Sequence, residues 1–535
     1  MALNSLPFLL FLAAVTAVYY IVPKKFQWVV LLAASYGFYL SAGYSSLFYI
    51  LGTTLFTYVA GLVMQKIRDD FQTKLSSLGA DVTKEEKQQM KKSVTKKIHR
   101  VQVLTVLVNL GVLAYVKYLN FFLGSANDAF ALFKWDVTLP LVNILAPLGL
   151  SYYTFNSIGY LIDIGRGKLK AEKNIGKFAL FTSFFPSIVQ GPLFRYGDVG
   201  VQLHTPHAFD YDNVKFGAQL IVWGFFKKLL IADRVSVISA AIFNPDFVDY
   251  SGSHVFFGVL AYSFQIYCDF SGGIDITRGA AQMLGINLPL NFERPFFAIS
   301  MADFWRRWHM SLGAWMREFV FYPIMLSRPV TAVAKVARKR FGGHAGKIVP
   351  SVAAPLVVFF LIGIWHGLTW QYICNGLYNA ILISASVALA PVYKKLTEKL
   401  KINPENFSFR LFQMARTFIL LCISRIIVKA PSITDAGKMI KALFTDIDLH
   451  FITGVSGEIY KFGIDRQEMF MLFIFLLVLL VVGVLQENGM KLRETIAKQN
   501  IVFRWGIYLI ALAVILIFGT YGPAYDAKSF IYGAF

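Results

Sequence analysis

The sequence predicts an all-α polytopic membrane protein, and three observations lead to this prediction. Apolar runs of about 18 or more residues recur along the chain, and a helix of that length crosses a bilayer. Of the 535 residues, 56% are hydrophobic and only 16% are charged, whereas soluble domains carry about 25% charged residues. Basic residues are concentrated in short segments between the apolar runs. We therefore predict a single transmembrane domain over residues 1–535.

About twelve membrane-spanning helices are expected, within a range of about 11–13. Shorter apolar segments, notably 178–194 and 303–326, are expected to be re-entrant or to lie at the membrane interface. The predicted spans are roughly 5–22, 26–44, 46–65, 101–123, 141–164, 215–243, 254–276, 348–369, 371–391, 408–428, 468–486 and 505–522.

The positions of lysine and arginine predict the orientation of the chain, because cytoplasmic loops are enriched in these residues. The same pattern accounts for the net charge of +21 without nucleic-acid binding. We expect a multi-pass protein of the plasma membrane, with an external loop at 429–467 and both termini extracytoplasmic. The segments expected in the cytosol, beginning with a basic loop, are 66–100, 165–177, 327–347, 393–407 and 487–504.

Ionisable residues inside membrane segments are costly and usually functional. They are densest in ADFWRRWHMSLGAWMREFVFYP, residues 302–323. If this segment is one helix, Arg306, His309 and Arg317 lie off a continuous apolar stripe. An interfacial anchor, with arginines reaching the lipid headgroups, is the alternative. The stripe consists of Trp305, Trp308, Leu312, Trp315 and Phe319.

A second candidate, His366, lies in the apolar segment PLVVFFLIGIWHGLTWQYICNGLY, residues 355–378. If the span begins near Ile348 at the cytoplasmic side, His366 lies about 27 Å along it, past the midplane toward the outer face. Gly363 and Gly367 allow a backbone or a substrate to come close. A neutral imidazole at this place is suited to act as a general base. A hydrogen bond to a neighbouring helix explains it equally well.

Two further segments combine polar residues with helix-breaking ones. Asp269 and Asp275 flank the Gly272-Gly273 pair, which indicates a broken helix lining a cavity. The segment FFPSIVQGPLFRY, 184–196, contains prolines that favour a re-entrant hairpin. No phosphate-binding loop, HExxH or GxSxG motif is present, and no metal site is predicted.

The motif FWRRWHMSLGAWMREFVFYP, followed about forty residues later by GIWHG, resembles the membrane-bound O-acyltransferase family. The similarity is to the bacterial subgroup of alginate and peptidoglycan O-acetylation and teichoic acid D-alanylation proteins. It extends over nearly the whole chain. The other segments that carry it are the N-terminal NSLPFLLFLAAVTAVYYIVPKKFQWVVLLAASYGFY, PLGLSYYTFNSIGYLIDIGRGK, FFPSIVQGPLFRY, QIYCDFSGGIDITRGAAQMLG and NFERPF.

This resemblance implies a ring of helices around a thinned centre, with an outer funnel and a cytosolic opening. It implies that His366 is the catalytic histidine and that His309 is the second characteristic histidine. The C-terminal motif 523–535 ends in FIYGAF, which resembles an FIYFQF-like motif and makes Tyr532 an acyl relay on the outer face. The run SGGIDITRG replaces the SGYSD-like run of alginate-type members and leaves the acceptor open.

The expected reaction is acyl transfer, most simply of acetyl, to an extracytoplasmic cell-surface polymer. The donor is expected to be a cytosolic thioester, acetyl-CoA or an acylated carrier protein, with no bound cofactor. The subgroup implies an extracytoplasmic SGNH-hydrolase-like transferase as partner. A D-alanyl transferase that uses a carrier protein, and a lipid or glycan flippase, remain alternatives. The candidate substrate-binding residues are Trp305, Arg306, Arg307, Asn375, Asp269 and Arg195.

Overall fold

The computed structural model describes residues 1–41, 43–78, 83–144, 147–244, 246, 251–453 and 457–521. Every regular element in these residues is helical, which confirms the all-α prediction. Numbered along the chain, the first helices are α1 (Leu6–Ile21), α2 (Gln27–Leu40), α3 (Tyr44–Ser77), α4 (Lys84–Leu132), α5 (Leu150–Gly165), α6 (Ile175–Ser183), α7 (Phe185–Ile188), α8 (Tyr211–Phe225), α9 (Asp233–Ile242) and α10 (Gly252–Met283).

The remaining helices are α11 (Met301–Arg307), α12 (Met310–Met316), α13 (Tyr322–Met325), α14 (Arg328–His366), α15 (Trp370–Ala388), α16 (Ala390–Lys399), α17 (Phe407–Lys429), α18 (Ile433–Thr445), α19 (Leu449–Thr453), α20 (Arg466–Glu487), α21 (Leu492–Ala497) and α22 (Ile501–Phe518). Short π-helical segments at Phe226–Ala232 and Arg317–Phe321 join α8 to α9 and α12 to α13.

The chain divides into two compact units. The first comprises residues 1–217 and 277–289, and the second comprises residues 218–276 and 290–535. Helices α8 and α10 each contribute to both units. The second unit contains both candidate histidines, so the site is described within it. That the whole chain acts as a single transmembrane domain stays a prediction.

Within the described residues, six helices are long and apolar enough to cross a membrane, namely α3, α4, α14, α17, α20 and α22. A seventh span results if α15 and α16, bent by 58°, are counted together. Each of the twelve predicted spans overlaps a helix, although in the span 141–164 the helix begins only at Leu150. The number of helices that meet the length and hydropathy test is lower than the predicted 11 to 13. Helices α1, α2 and α5 have only 16, 14 and 16 residues, fewer than the roughly 20 that a spanning helix needs. The chain is a multi-pass helical membrane protein.

The predicted break at Gly272-Gly273 is wrong, because α10 runs without interruption through both glycines. A Cβ at Gly272 would lie 2.8 Å from the carbonyl oxygen of Gly224, and a Cβ at Gly224 would lie 2.6 Å from that of Gly272. The glycines therefore allow the backbones of α8 and α10 to touch. They serve close helix packing instead of a cavity.

Buried ion pairs join α10 to the π-helical segment and α9 in the second unit. Lys228 Nζ lies 2.6 Å from Asp269 and 2.8 Å from Asp233, and the Lys228 side chain is only 1% exposed. Lys227 Nζ lies 2.7 Å from Asp275. Because these charges are removed from water, each one depends on its partner for compensation.

We expect Lys228→Met to destabilise the protein by about 3–5 kcal/mol, since the substitution leaves buried carboxylates without their cation. Lys438→Met is the matched control: Lys438 is 62% exposed and pairs with Asp435 at the surface, so its loss costs about 0–1 kcal/mol. Thermal unfolding of the purified proteins measures both. Adding Asp269→Asn and Asp233→Asn to Lys228→Met should restore part of the stability. Equal losses in the two single variants would contradict this view.

Candidate active site

The second unit contains a cavity of about 50 Å³. Its wall is built where α10, α11, α14, α15 and α17 meet. Each helix contributes at least one polar or aromatic side chain to this wall, and the lining contains no aspartate or glutamate. The residues that matter for chemistry are Tyr262, Trp305, Trp308, His366, Tyr372, Asn375, Asn379 and Arg425.

Two glycines hold α14 and α15 together beside the cavity. A Cβ at Gly363 would lie 2.6 Å from the carbonyl oxygen of Tyr372, and a Cβ at Gly376 would lie 2.4 Å from that of Phe359. Any side chain at either position would push the helices apart. The backbone contact therefore keeps His366 on α14 close to Asn375 on α15.

His366 is the last residue of α14, and Gly367 ends the helix in an extended conformation. The imidazole lies between two aromatic rings. Its centroid is 4.7 Å from that of Trp365 and 5.7 Å from that of Tyr372, which it stacks against at 19°. The ring orientation is thus restricted by packing, while the side chain still lines the cavity.

His309 lies next to the cavity wall, at a break in the chain that was not predicted. The segment 302–323 does not form the one helix considered above: α11 ends at Arg307, and α12 begins at Met310. His309 has φ of 45°, in the left-handed region, so the two helices differ in direction. The break divides the predicted apolar stripe after Trp308.

Asn291 fixes this break and also the protonation of His309. Its Oδ1 accepts hydrogen bonds from the backbone N–H of Ser311, at 3.0 Å, and from the Ser311 hydroxyl, at 2.9 Å. The same oxygen lies 3.2 Å from His309 Nδ1. An oxygen requires a donor, so Nδ1 carries the proton and Nε2 is the acceptor in the neutral ring. The Trp365 ring lies near both histidines, 6.4 Å from His309.

A chain of hydrogen bonds orients the amides of the cavity. The Trp305 indole, which can only donate, bonds Asn379 Oδ1 at 3.1 Å. The Asn379 amino group therefore points the other way, and it donates to Asn375 Oδ1 at 3.2 Å. The hydroxyl of Ser424 donates to the same oxygen at 2.6 Å. With its oxygen occupied twice, Asn375 turns its Nδ2 donor away from this network.

The cavity includes Trp305, Asn375 and His366 but not the other candidates. Arg306 is exposed and lies 3.8 Å from Asp303, and Arg307 binds Glu487 at 3.0 Å and Asp303 at 3.2 Å. Both arginines belong to α11, but neither of them lines the cavity. Their roles as substrate-binding residues stay predictions.

Three other candidates lie elsewhere. Asp269 pairs with Lys228, as described above. Arg195 belongs to the first unit and precedes the π-helical segment Tyr196–Gly200. Tyr532 lies outside the described residues. Their proposed roles also stay predictions.

Sequence reasoning missed several residues of the cavity. Of these residues, Arg425 lies on α17, a helix that is otherwise apolar enough to span the membrane. An arginine in such a helix is itself a signal of function, and this signal could have found Arg425. Asn379, Tyr262 and Tyr372 carry no such signal, because their importance depends on tertiary contacts.

Together, the fold and the cavity define a polytopic helical membrane protein in which a histidine and an oriented amide line one cavity. Such a pair suits acid–base chemistry at a carbonyl carbon. The sequence profile of the MBOAT, membrane-bound O-acyltransferase family matches residues 168–336, which include His309.

Relatives of known class match over most of the chain. The probable alginate O-acetylase AlgI of Pseudomonas syringae pv. tomato is 30% identical over 82% of this chain and 73% of its own length. The peptidoglycan O-acetyltransferase of Helicobacter pylori is 26% identical over 65% of this chain and 67% of its own length. The teichoic acid D-alanyltransferase of Bacillus subtilis is 29% identical over 53% and 68%. The chain belongs to the membrane-bound O-acyltransferase family and is a membrane acyltransferase.

Proposed function

We propose that this enzyme transfers a short acyl group, most simply acetyl, from a cytosolic thioester to a hydroxyl of a cell-surface polysaccharide or polymer. The observation that carries the proposal is the pairing of His366 with the oriented Asn375 amide in one cavity. A volume of about 50 Å³ suits a small acyl group better than a long chain.

In the proposed reaction, His366 accepts the proton of the attacking hydroxyl. The hydroxyl oxygen forms a bond to the thioester carbon, and the carbonyl oxygen gains negative charge. Asn375 Nδ2 donates a hydrogen bond to this oxyanion. The carbon–sulfur bond then breaks, and the protonated His366 returns its proton to the leaving thiolate. The new ester and the free thiol account for every atom.

His309 is proposed to assist from behind the Trp365 ring. Asn291 holds the proton on Nδ1, so the ring keeps a fixed orientation in which Nε2 is the acceptor nitrogen. Arg306 and Arg307, at the C-terminal end of α11, remain proposed contacts for the donor. Asp269 and Arg195 remain weaker proposals, since neither lines the cavity.

The direction of transfer is proposed from the basic segments. Helix α14 begins at Arg328 in the segment 327–347, which has six basic and no acidic residues, and it ends at His366. If this segment is cytosolic, the acceptor reaches His366 from the outside of the plasma membrane. The segments 165–177 and 327–347 are suited to docking acetyl-CoA or an acidic acyl carrier protein at the cytosolic face.

On the outer face, an SGNH-hydrolase-like transferase is the proposed partner, and Tyr532 is the proposed first acceptor of the acyl group. The named substrates of the relatives, alginate, peptidoglycan and teichoic acid, are all cell-surface polymers. Transfer of D-alanine from a carrier protein is the second candidate, because one relative is a teichoic acid D-alanyltransferase. Membership of an acyltransferase family disfavours a flippase.

The first test is His366→Ala. Without the general base, transfer of label from [14C]acetyl-CoA to surface polymer should fall by about 10²–10⁴-fold, while the protein remains folded in the membrane. His450→Ala is the matched control, because His450 lies exposed on α19, outside the cavity and the basic segments, and this variant should transfer at the wild-type rate. Full transfer by His366→Ala would refute the assignment of the base.

The second test addresses the oriented amide. Asn375→Leu removes the donor at similar volume, and kcat should fall by about 10²–10³-fold with little change in KM. Trp305→Phe removes the indole N–H that orients Asn379, so a smaller fall in kcat is expected. Trp370→Phe is the control, since Trp370 is exposed at the start of α15. An unchanged kcat in Asn375→Leu would exclude the proposed oxyanion contact.

A further inference from the structure

A carboxylate at the end of α20 binds two arginines beside the active site. Glu487 is the last residue of α20. Its Oε2 lies 2.5 Å from Arg294 Nε and 3.0 Å from Arg307 Nη1, and its Oε1 also lies 3.0 Å from Arg307 Nη1. We call these three side chains the Glu487 clamp. All three are largely shielded from solvent, with 19–23% of each side chain exposed.

The clamp connects two segments of chain that already run side by side. Residues 291–294 lie along the break between α11 and α12, and two backbone hydrogen bonds of 2.9 Å join them to it. The carbonyl oxygen of Arg307 accepts the first, and the N–H of Met310 donates the second. Glu487 provides a third connection, because it holds Arg294 on one segment and Arg307 on the other.

Each of the two segments contains a non-glycine residue in a left-handed conformation. The φ angle is 48° at Arg294 and 45° at His309. A Cβ makes this conformation unfavourable, and it persists only where the surrounding contacts enforce it. Asn291 provides such a contact for His309, and Glu487 provides one for Arg294. Because the two segments are paired, a relaxation of the backbone at Arg294 would also change the backbone at His309.

The joined segments also carry part of the aromatic wall of the cavity. Trp305 and Trp308 line the cavity and lie within two residues of Arg307. The Trp308 ring packs edge-on against Phe292, with the ring centroids 5.0 Å apart. Trp305 donates the hydrogen bond that orients the amides of the cavity. A movement of α11 relative to residues 291–294 would therefore change both the wall and the amide donor.

We infer that Glu487 is a positioning residue for acyl transfer, which holds α11 and the α11–α12 break in the geometry of the active site through Arg294 and Arg307. Glu487 does not line the cavity, so it acts through these contacts and not on the substrate. The inference rests on the proposed function, because it assumes that His366 and Asn375 perform the transfer. A displacement of about 1 Å can lower a reaction rate by about 10²-fold, so a side chain outside the cavity can control kcat.

Glu487→Gln tests the clamp at nearly constant volume. The amide carries no charge and has a single acceptor oxygen, so it cannot replace the carboxylate for both guanidinium groups. Each arginine keeps a second carboxylate at 3.2 Å, Glu293 or Asp303, so the variant should fold. Glu487→Asp keeps the charge and should retain most of the wild-type behaviour. Glu494→Gln is the matched control, since Glu494 on α21 is 58% exposed and lies 3.8 Å from Lys491.

Hydrogen exchange of the full chain in nanodiscs, read by mass spectrometry, tests the geometry without any need for turnover. In Glu487→Gln, the backbone amides of Glu293 and Met310 should exchange about tenfold faster or more, because their pairing loses the support of a charged hydrogen bond. They should exchange at the wild-type rate in Glu494→Gln. Arg294→Lys loses the guanidinium fork and takes the place of Glu487→Gln if that variant does not fold. Unchanged exchange at these two amides would overturn the inference.

Kinetics of label transfer from acetyl-CoA test the positioning itself. The kcat of Glu487→Gln should fall by about 10–10²-fold with KM for acetyl-CoA nearly unchanged, whereas Glu494→Gln should match the wild type. If the clamp acts through α11, adding Trp305→Phe to Glu487→Gln should lower kcat by less than the product of the two separate effects. A wild-type kcat in Glu487→Gln, a change confined to KM, or fully multiplicative effects would refute the positioning role.

The two measurements together separate this inference from the proposed function. If the wild-type protein transfers no acyl group to any hydroxyl acceptor while Glu487→Gln accelerates exchange at Glu293 and Met310, the proposed function fails and the clamp stands as a constraint on α11. If the wild-type protein transfers acyl groups and Glu487→Gln transfers them equally well, the proposed function stands and the positioning role of Glu487 is refuted.

Discussion

Within a bilayer, a buried polar group has to find its partner inside the protein, because no water is available there. The second unit of this acyltransferase meets the constraint in three ways. Charges on α10 pair with Lys227 and Lys228, and the amides of Asn375 and Asn379 bond each other and Trp305. The cations of α17 lie on aromatic faces. Each solution fixes the direction of a side chain, and the proposed chemistry depends on those directions.

The hydrogen bond of Trp305 is the clearest example of how packing becomes chemistry. An indole N–H only donates, so it determines which end of Asn379 faces it, and Asn379 in turn determines the orientation of Asn375. Trp305, which the sequence suggested as a substrate contact, therefore also orients the Asn375 Nδ2 donor through Asn379. Asn379 and Ser424 act as positioning residues in this scheme.

Much of the fold could be predicted from the sequence, because long apolar runs and basic connections reflect the bilayer directly. The helical class and the family were confirmed, and three candidate residues, His366, Trp305 and Asn375, line the cavity. The break at His309 could not be predicted, since it depends on a tertiary contact with the Asn291 side chain, 18 residues earlier in the chain. Gly272 and Gly273 suggested a broken helix. The sequence alone does not show whether a glycine interrupts its helix or allows the backbone of another helix to pack closely against it. Arg425 was missed although its place in an apolar helix made it visible.

The most direct measurement is an experimental structure of the protein in a nanodisc with an acetyl-CoA analogue in which a methylene group replaces the thioester sulfur. The analogue keeps the carbonyl but cannot lose its thiol. The carbonyl oxygen of the analogue is expected about 3 Å from Asn375 Nδ2. Its carbonyl carbon should face the His366 ring, and its acetyl group should lie inside the cavity. An analogue whose carbonyl binds outside this cavity, or whose oxygen faces away from Asn375 while the acyl group remains beside His366, would contradict the proposed active site.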